Sequence, residues 1–390
     1  MAERPAVLIT GGDHQGLAAL RCLARHGIRV YLCDHEHSIG RYSRFCAGFF
    51  RAPPPEPVEP YVEFLCTLAD REGLRGAVLL PDNDQQVCAM SVGHARLSQC
   101  FRTSVPSWEI VQHAYIKART YELARQVGVP APHTWVVADE DELRRLDVSF
   151  PVILKPSIRD HYYPKTHVKA LRAETPAQLA ERYREMARWL PPEEILIQEM
   201  IPGGPTHLYS AGVLFARGRI VAGIVGRRPR QHPMDFGHAT TFAELVELPE
   251  LLEYAQTLLA AMNFYGIAEV EFMADTRDGK FKLIEINPRI WGWHKLAIVN
   301  GVELPYYLYL DLVGEPLPPL VRPPKPVQWV RMITDVPVVV TEILRGRMSV
   351  KDWWRSLRGP LAFSVWDPAD PLPCLMEFVL LPYLYWIRGF

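Results

Sequence analysis

Two carboxylates and a carboxamide stand at alternating positions in this 390-residue sequence: Glu271 within residues 267–274, and Glu285 and Asn287 at the end of a run beginning at Phe281. Both runs read as β-strands, and the turn dipeptide Asp278-Gly279 between them predicts a hairpin. Side chains alternate along a strand, so Glu269 and Glu271 share one face, as do Leu283, Glu285 and Asn287. Val270, Phe272, Ile284 and Ile286 then point to the opposite, apolar face. Closing the hairpin gathers Glu271, Glu285 and Asn287 into a set of hard oxygen ligands. Mg²⁺ favours such a set, with few carboxylates and the remaining positions taken by phosphate oxygens and water. Acids interleaved with core residues are costly to bury without a cation. Taken alone, the acids also fit a solvated polar sheet face.

Two lysines add anion-binding capacity. Lys155 closes a short apolar strand between Pro151 and Pro156, which places its ammonium at a strand end. Lys117 opens a helix predicted over residues 117–127, stopped by Gly128 with Pro130 and Pro132 beyond. There its charge lies beside backbone N–H groups that also attract anions. A lone lysine is usually surface, but two of these with a diacid metal site meet the needs of a triphosphate: cations along the phosphates and metal between the β and γ oxygens. A further basic run, Arg227-Arg228-Pro229-Arg230-Gln231-His232, follows an apolar strand beginning at Ile220. It suits a substrate carboxylate or acylphosphate, although charge runs also serve as solvated faces.

The elements that must position these groups fall into units. Apolar strands at residues 6–10, 28–33 and 77–80 alternate with helical spacing, as in Leu17, Leu20, Leu23 and Ala24, which implies a parallel sheet. Ligands on such sheets sit beyond the strand C-termini. The tips Gly12-Asp13-His14 and Asp82-Asn83-Asp84 therefore face a ligand, and His14, Asp82 and Asp84 are candidate substrate contacts. A dinucleotide site is disfavoured, because Gly11, Gly12 and Gly16 give G-G-x-x-x-G rather than G-x-G-x-x-G, although Asp34 follows the second strand as a ribose acid would. Strands are also predicted at residues 135–138, 151–154 and 195–198, with a helix at 179–190. Two hairpins follow, one through Arg217-Gly218 and one through Asp278-Gly279, with a helix at 249–262 between them. The expected domains are residues 1–103, 104–205, 206–320 and a C-terminal extension, 321–390, of unclear role.

Four separated stretches, in order, resemble the ATP-grasp superfamily: Ile116-Lys117-Ala118-Arg119-Thr120 with Gly128-Val129-Pro130-Ala131-Pro132; Pro151-Val152-Ile153-Leu154-Lys155-Pro156; Ile197 to Gly204; and Val270-Glu271-Phe272 with Glu285-Ile286-Asn287-Pro288-Arg289. The similarity is greatest to predicted ATP-dependent carboligases, more distant to D-aspartate ligase and biotin carboxylase, and covers roughly residues 5 to 315. It implies an α/β architecture of α+β lobes, an ATP-grasp fold preceded by a Rossmann-like parallel-sheet domain. It further implies that Lys117 and Lys155 contact the phosphates of ATP. Gln198 ends the strand leading to Glu199, Met200 and Ile201, whose backbone groups would hold adenine. Glu271, Glu285 and Asn287 would bind two Mg²⁺ ions, with Mn²⁺ as a substitute. Arg289 and Lys155 would be catalytic, with Arg289 meeting the transferred phosphoryl group or the substrate carboxylate. One departure stands out. The segment 156–169, often a glycine-rich loop in relatives, has no glycine and carries Arg159, His161, Lys165, His167 and Lys169, which reads as a cationic lid or as a plain exposed basic loop.

Composition narrows the classes. Forty-three basic against 44 acidic residues sum to −1, so no global field points to nucleic acid. The 35 prolines form no repeat and indicate stiff loops, and seven cysteines without a Cys-x-x-Cys pair fit reduced thiols rather than disulfides or zinc. No signal-peptide pattern or apolar run of about 20 residues is present, which predicts a cytoplasmic protein. The expected function is a carboxylate–amine ligase working through an acylphosphate on small-molecule acid and amine substrates. Its competitors are a catalytically silent ATP-binding scaffold and a bicarbonate-dependent carboxylase. An oligomer is left open. The apolar, aromatic tail from Cys374 to Phe390, with Phe378, Leu380, Tyr383, Tyr385, Trp386 and Arg388, packs on the body or lies at a membrane interface.

Overall fold

Short, wholly buried apolar strands set the N-terminal layer. The computed structural model describes residues 4–237, 239–320 and 325–383, so Tyr385, Trp386 and Arg388 of the tail lie outside the described residues. Strands β1 (Val7–Thr10), β2 (Val30–Asp34), β3 (Cys46–Arg51), β4 (Val78–Pro81) and β5 (Arg102–Thr103) form a parallel sheet in the order β3-β2-β1-β4-β5. The helix His14–Arg25 begins at Asp13, whose carboxylate accepts from the His14 amide. Chain order reverses between β1 and β4, and their tips carry Asp13, His14, Asp82 and Asp84 to one edge. Gly11 permits the approach of those tips. Its φ is +108°, and a Cβ there would lie 2.0 Å from Asp82 Oδ1.

A small antiparallel sheet follows, with β6 (Thr134–Trp135), β7 (Val152–Pro156), β8 (Leu171–Ala173) and β9 (Ile195–Glu199) in the order β6-β9-β7-β8. Val152, Leu154, Ile195 and Ile197 bury against Leu179, Tyr183 and Met186 of the helix Pro176–Ala187. The expected flexible loop after Lys155 is instead partly a helix, Arg159–Thr166. Two anchors explain it: Tyr162 is buried in the core of this sheet, and Asp160 accepts from the Tyr115 hydroxyl at 2.9 Å.

The third sheet has seven strands: β10 (Leu208–Ala216), β11 (Arg219–His232), β12 (Ala239–Leu245), β13 (Gly266–Ala274), β14 (Phe281–Asn287), β15 (Gln328–Val330) and β16 (Leu361–Phe363), ordered β14-β13-β10-β11-β12-β15-β16. The C-terminal extension is therefore not separate, since β15 and β16 continue this sheet. The helix Pro249–Ala261 covers one face with Leu251, Ala255, Leu258 and Leu259. On the other, Trp291 lies against Gly212, where any Cβ would come within 2.1 Å of the indole. Trp291 and Trp293 share a core with Val7, Ile9 and Leu20, so the parallel sheet and the seven-stranded sheet are packed as one body.

A charged node fastens the C-terminal segment to the N-terminal layer. Arg21 Nε donates to Asp370 Oδ2 at 2.9 Å with both side chains 2% exposed, and Ser43 Oγ and the Arg44 amide also donate to that carboxylate. Removing one member leaves the other buried and uncompensated. We therefore expect Arg21→Ala to cost about 3 kcal/mol. Arg4→Ala, which breaks an exposed pair with Glu315, should cost no more than ~0.5 kcal/mol. Denaturant unfolding of both variants checks this, and equal midpoints would show that the node ties nothing down.

Candidate active site

Register on the second hairpin brings the acids together. Glu271 pairs directly with Glu285, and Glu269 with Asn287, across β13 and β14. A bulge follows between Glu271 and Phe272, and it changes the alternation expected from sequence. Leu283 pairs with Phe272 and joins the apolar core with Val270 and Ile286, whereas Ile284 is only half-buried and its carbonyl accepts from Tyr121 Oη. Leu283 therefore does not share the face of Glu285.

Each acid meets a cation or donor from a different element. Lys117 Nζ lies 2.9 Å from Glu285 Oε2. Arg228 Nη2 donates to Glu271 Oε2 at 2.5 Å and a second guanidinium nitrogen lies 3.8 Å from Glu269. Asn287 presents its amide nitrogen, at 2.9 Å from Glu271 and 3.2 Å from Glu269, while its oxygen accepts from Arg289. Trp293 Nε1 completes Glu269 at 2.9 Å. Among the described residues, no three His, Cys, Asp or Glu side chains converge as a ready ligand set. The donor chemistry nevertheless fits Mg²⁺, with two hard carboxylates in direct register beside a carboxamide whose rotation would offer its oxygen.

The two lysines are neighbours because the helix Lys117–Gln126 is seated on the end of β7. Its first amides are satisfied by Ser157, whose carbonyl accepts from Lys117 N at 3.0 Å and whose hydroxyl accepts from Ala118 N at 3.2 Å. Lys155 Nζ, almost fully buried, donates to Tyr121 Oη at 2.6 Å. Burial, with the charge of Lys117 added, pushes the Lys155 ammonium down to about 7. Burial alone would raise the Glu285 carboxyl, but Lys117, Lys169 and Lys155 outweigh it and hold that group well below the usual range. Burial and the adjacent Glu271 push Glu269 the other way, up to about 7. A buried ammonium supported by a neutral hydroxyl is a fitting partner for a phosphate anion.

The remaining predicted residues distribute unevenly. Gln198 is buried and donates to Thr134 at 2.7 Å. Glu199 does not project into open space. Its carboxylate accepts from the His133 amide, Lys282 and Arg277 at 3.0, 3.0 and 2.9 Å, which holds its pKa down despite burial. The amides of Glu199 and Met200 already donate to His133 O and Pro151 O, which removes them as adenine donors, and the Ile201 side chain is buried. Lys169 donates to Gly237 O at 2.9 Å, joining the segment after the lid helix to the β11–β12 connection. Arg289 forks onto Asp84 at 2.6 and 2.9 Å, so the N-terminal layer reaches the site through that acid. Asp82 sits behind Asp84 against Gly11, and a Cβ on Gly292 would come within 3.1 Å of His14 Nε2.

The basic run divides. Arg228 turns into the acids. Arg227 turns away to Glu244 at 3.4 Å, and Arg230 forks onto Asp335 of the C-terminal segment. A register irregularity between Arg227 and Arg230 accompanies the division. Sequence reasoning missed Tyr121, which links Lys155 to Ile284. It also left Glu269 unassigned, although the alternation that singled out Glu271 had placed Glu269 on the same face.

Residues 192–336 match a protein family described as ATP-grasp in the biosynthetic pathway with Ter operon. A D-aspartate ligase of Enterococcus faecium (strain Aus0004) is 23% identical over 241 residues, covering 56% of this chain and 54% of its own length. The chain thus spans about half of that curated relative. Biotin carboxylase of Campylobacter jejuni, solved with a nucleotide, superposes with a TM-score of 0.66 at 17% identity over 81% of this chain and 72% of its own. An L-amino acid ligase of Bacillus licheniformis gives 0.62 at 14% identity, over 80% and 75%. These likenesses show the fold.

The depressed Lys155 pKa fixes a pH signature for anion binding. In the free protein Lys155 is protonated below about pH 7, and a bound phosphate raises its pKa toward the ordinary value. Affinity for ADP should be flat in this group's contribution below pH 7 and weaken by up to about tenfold per unit above it, with proton uptake on binding near pH 8. Calorimetry in buffers of different ionisation enthalpy checks this. Lys155→Arg should remove the slope, and a wild type without proton uptake would take Lys155 out of the anion site.

Proposed function

Proceeding from the ATP-grasp fold of this chain, we propose that it is an ATP- and Mg²⁺-dependent ligase that activates a carboxylate as an acylphosphate and joins it to an amine, releasing ADP and phosphate. The supporting observation is the direct pairing of Glu271 with Glu285 beside the buried Lys155 and the half-buried Lys117, delivered by another sheet and helix. In this reading Lys117 and Lys155 hold the nucleotide phosphates, and Glu271, Glu285 and Asn287 hold Mg²⁺, as two ions or with Mn²⁺ in its place. The metal supplies charge neutralisation along the triphosphate. Adenine lies along the Gln198–Ile201 strand end, where carbonyl oxygens and the Ile201 amide serve it rather than the amides of Glu199 and Met200.

Phosphoryl transfer requires chiefly positioning and charge, so no nucleophilic side chain is called for. Arg289 exchanges Asp84 for the substrate carboxylate or the transferred phosphoryl group, since its fork suits each of them. Arg228 orients Glu271 and, with Asp82, Asp84 and His14, lines the acceptor side, while Arg227 contributes from the rim. The helix Arg159–Thr166 and Lys169 cover the phosphates and shield the acylphosphate from water. The relative named D-aspartate ligase and the structural neighbour named L-amino acid ligase favour an amino acid as one substrate. All seven cysteines are free, which agrees with a reducing, cytoplasmic setting.

ADP release should require both a carboxylate and an amine in a screen of amino acid pairs with ATP and Mg²⁺. Glu285→Ala should lower it by at least about 10²-fold with the melting temperature retained, and Lys155→Ala by a similar factor. Wild-type turnover in Glu285→Ala refutes the metal assignment. ATP hydrolysis stimulated by bicarbonate alone would point to carboxylation, and tight nucleotide binding without turnover on any pair would point to a scaffold.

A further inference from the structure

The C-terminal helices bury acidic side chains and leave apolar ones exposed. On Met332–Leu344, Asp335 and Glu342 are buried alongside Val338 and Val339, while Val336, Val340 and Leu344 form an exposed i, i+4, i+8 stripe, Leu344 being 83% exposed. On Leu372–Val379, Glu377 is buried and Leu372, Leu375, Phe378 and Val379 face outward, the last three 59%, 60% and 65% exposed. The inward acids are all partnered: Asp335 by Arg230, Thr241 and Trp353, Glu342 by Arg347, and Glu377 by Arg331. These bonds also make the helices neighbours. Trp353 lies on Val350–Ser356 and Arg331 immediately precedes Met332, so the three helices form one region. A water-facing helix normally turns its charges out and its valines in. Here Val338 and Val339 do turn in, but Val336, Val340, Leu344, Leu375, Phe378 and Val379 are left for something else to cover.

The charge around them says what covers them. Residues 345–358 carry Arg345, Arg347, Lys351, Arg355 and Arg358, all exposed, and the acids paired with them are Asp352, Glu342 and Asp235, which leaves a local surplus of +2 on a chain whose total is −1. Trp354 and Trp366 are 60% and 45% exposed beside them, and indoles favour a boundary with one apolar and one wet side. A second copy docking the same face would set this cationic surplus against itself, which opposes a two-fold dimer there. Among the described residues no helix is long and apolar enough to cross a membrane, so any contact with lipid is interfacial.

We propose that this surface, formed by Met332–Leu344, Val350–Ser356 and Leu372–Val379, docks on an anionic phospholipid bilayer. The valine, leucine and phenylalanine side chains enter the acyl boundary, and the five cationic side chains lie among the headgroup phosphates. The proposal is independent of the ligase reading and places whatever reaction the chain performs at a lipid surface.

Co-sedimentation of the full chain tests it, with vesicles of phosphatidylcholine alone and of phosphatidylcholine with about 30% phosphatidylglycerol, at low and moderate salt. Binding is expected to the anionic vesicles and to fall with salt. Leu375→Glu with Phe378→Glu, and separately Lys351→Glu with Arg358→Glu, should each lower the bound fraction roughly tenfold. All four side chains are exposed, so circular dichroism and melting should match wild type. Wild-type protein that stays in the supernatant overturns the proposal. So does binding to both vesicle types that neither double variant reduces. A lipid-free, concentration-dependent dimer in sedimentation velocity, abolished by Leu375→Glu with Phe378→Glu, overturns it in favour of a second copy.

Discussion

Two like charges held in register organise this molecule. Glu271 and Glu285 pair across adjacent strands. Like charges directly opposite each other on paired strands are destabilising, before any desolvation is counted. The arrangement persists because cations and donors arrive from elsewhere. Lys117 comes from a helix seated on the small sheet, Arg228 from β11 of the large one, and Asn287 from the acids' own hairpin. Removing any of these leaves a half-buried acid short of a partner. The acid pair therefore makes the mutual placement of the two sheets an electrostatic necessity as well as a packing result.

The same logic extends to the N-terminal layer. Asp84 stands at the start of a helix beyond β4 and takes both arms of the Arg289 fork. Arg289 in turn touches Asn287, so a chain of charge-assisted bonds runs from the tip of the parallel sheet to the acids. Indole packing of Trp291 against Gly212 fixes the segment that carries Arg289. In the proposed reaction this lets the N-terminal layer sense what occupies the site: a substrate carboxylate that captures Arg289 must release Asp84.

Much of this was legible in the residues. Period-two alternation with Asp278-Gly279 predicted the hairpin, and the apolar strands ending in Gly11-Gly12 and Pro81 predicted the parallel layer. Features set by single-residue irregularities were not legible. The bulge beside Glu271 moved Leu283 to the core face, a slip that alternation cannot foresee. The shift between Arg227 and Arg230 sent neighbouring arginines to three different partners. The lid segment looked loop-like because His161, Pro164 and Lys165 obscure its period, yet the buried Tyr162 and the Asp160–Tyr115 hydrogen bond hold it as a helix. Tyr121 carried no signal at all, since its role depends on Lys155 being 34 residues away in sequence and 2.6 Å away in space.

The C-terminal helices show where helical periodicity misleads when read for a core. A core-facing helix is recognised by its apolar stripe, and the stripe of Met332–Leu344 is real but faces out. The inward face is decided by arginines elsewhere: Arg230 on β11 and Arg331 after β15 need acids, and Asp335 and Glu377 supply them. Buried ion pairs are poor sources of stability, because the desolvation of both charges offsets most of their attraction. A fold selected for stability alone would cover Val336, Val340 and Leu344 as it covers Val338 and Val339 on the inward side of the same helix. That it does not implies a second constraint acting on the outer face. A surface rich in valine, leucine and tryptophan with a local cationic surplus is what an interfacial constraint would select, and nothing in the acid and lysine cluster asks for it.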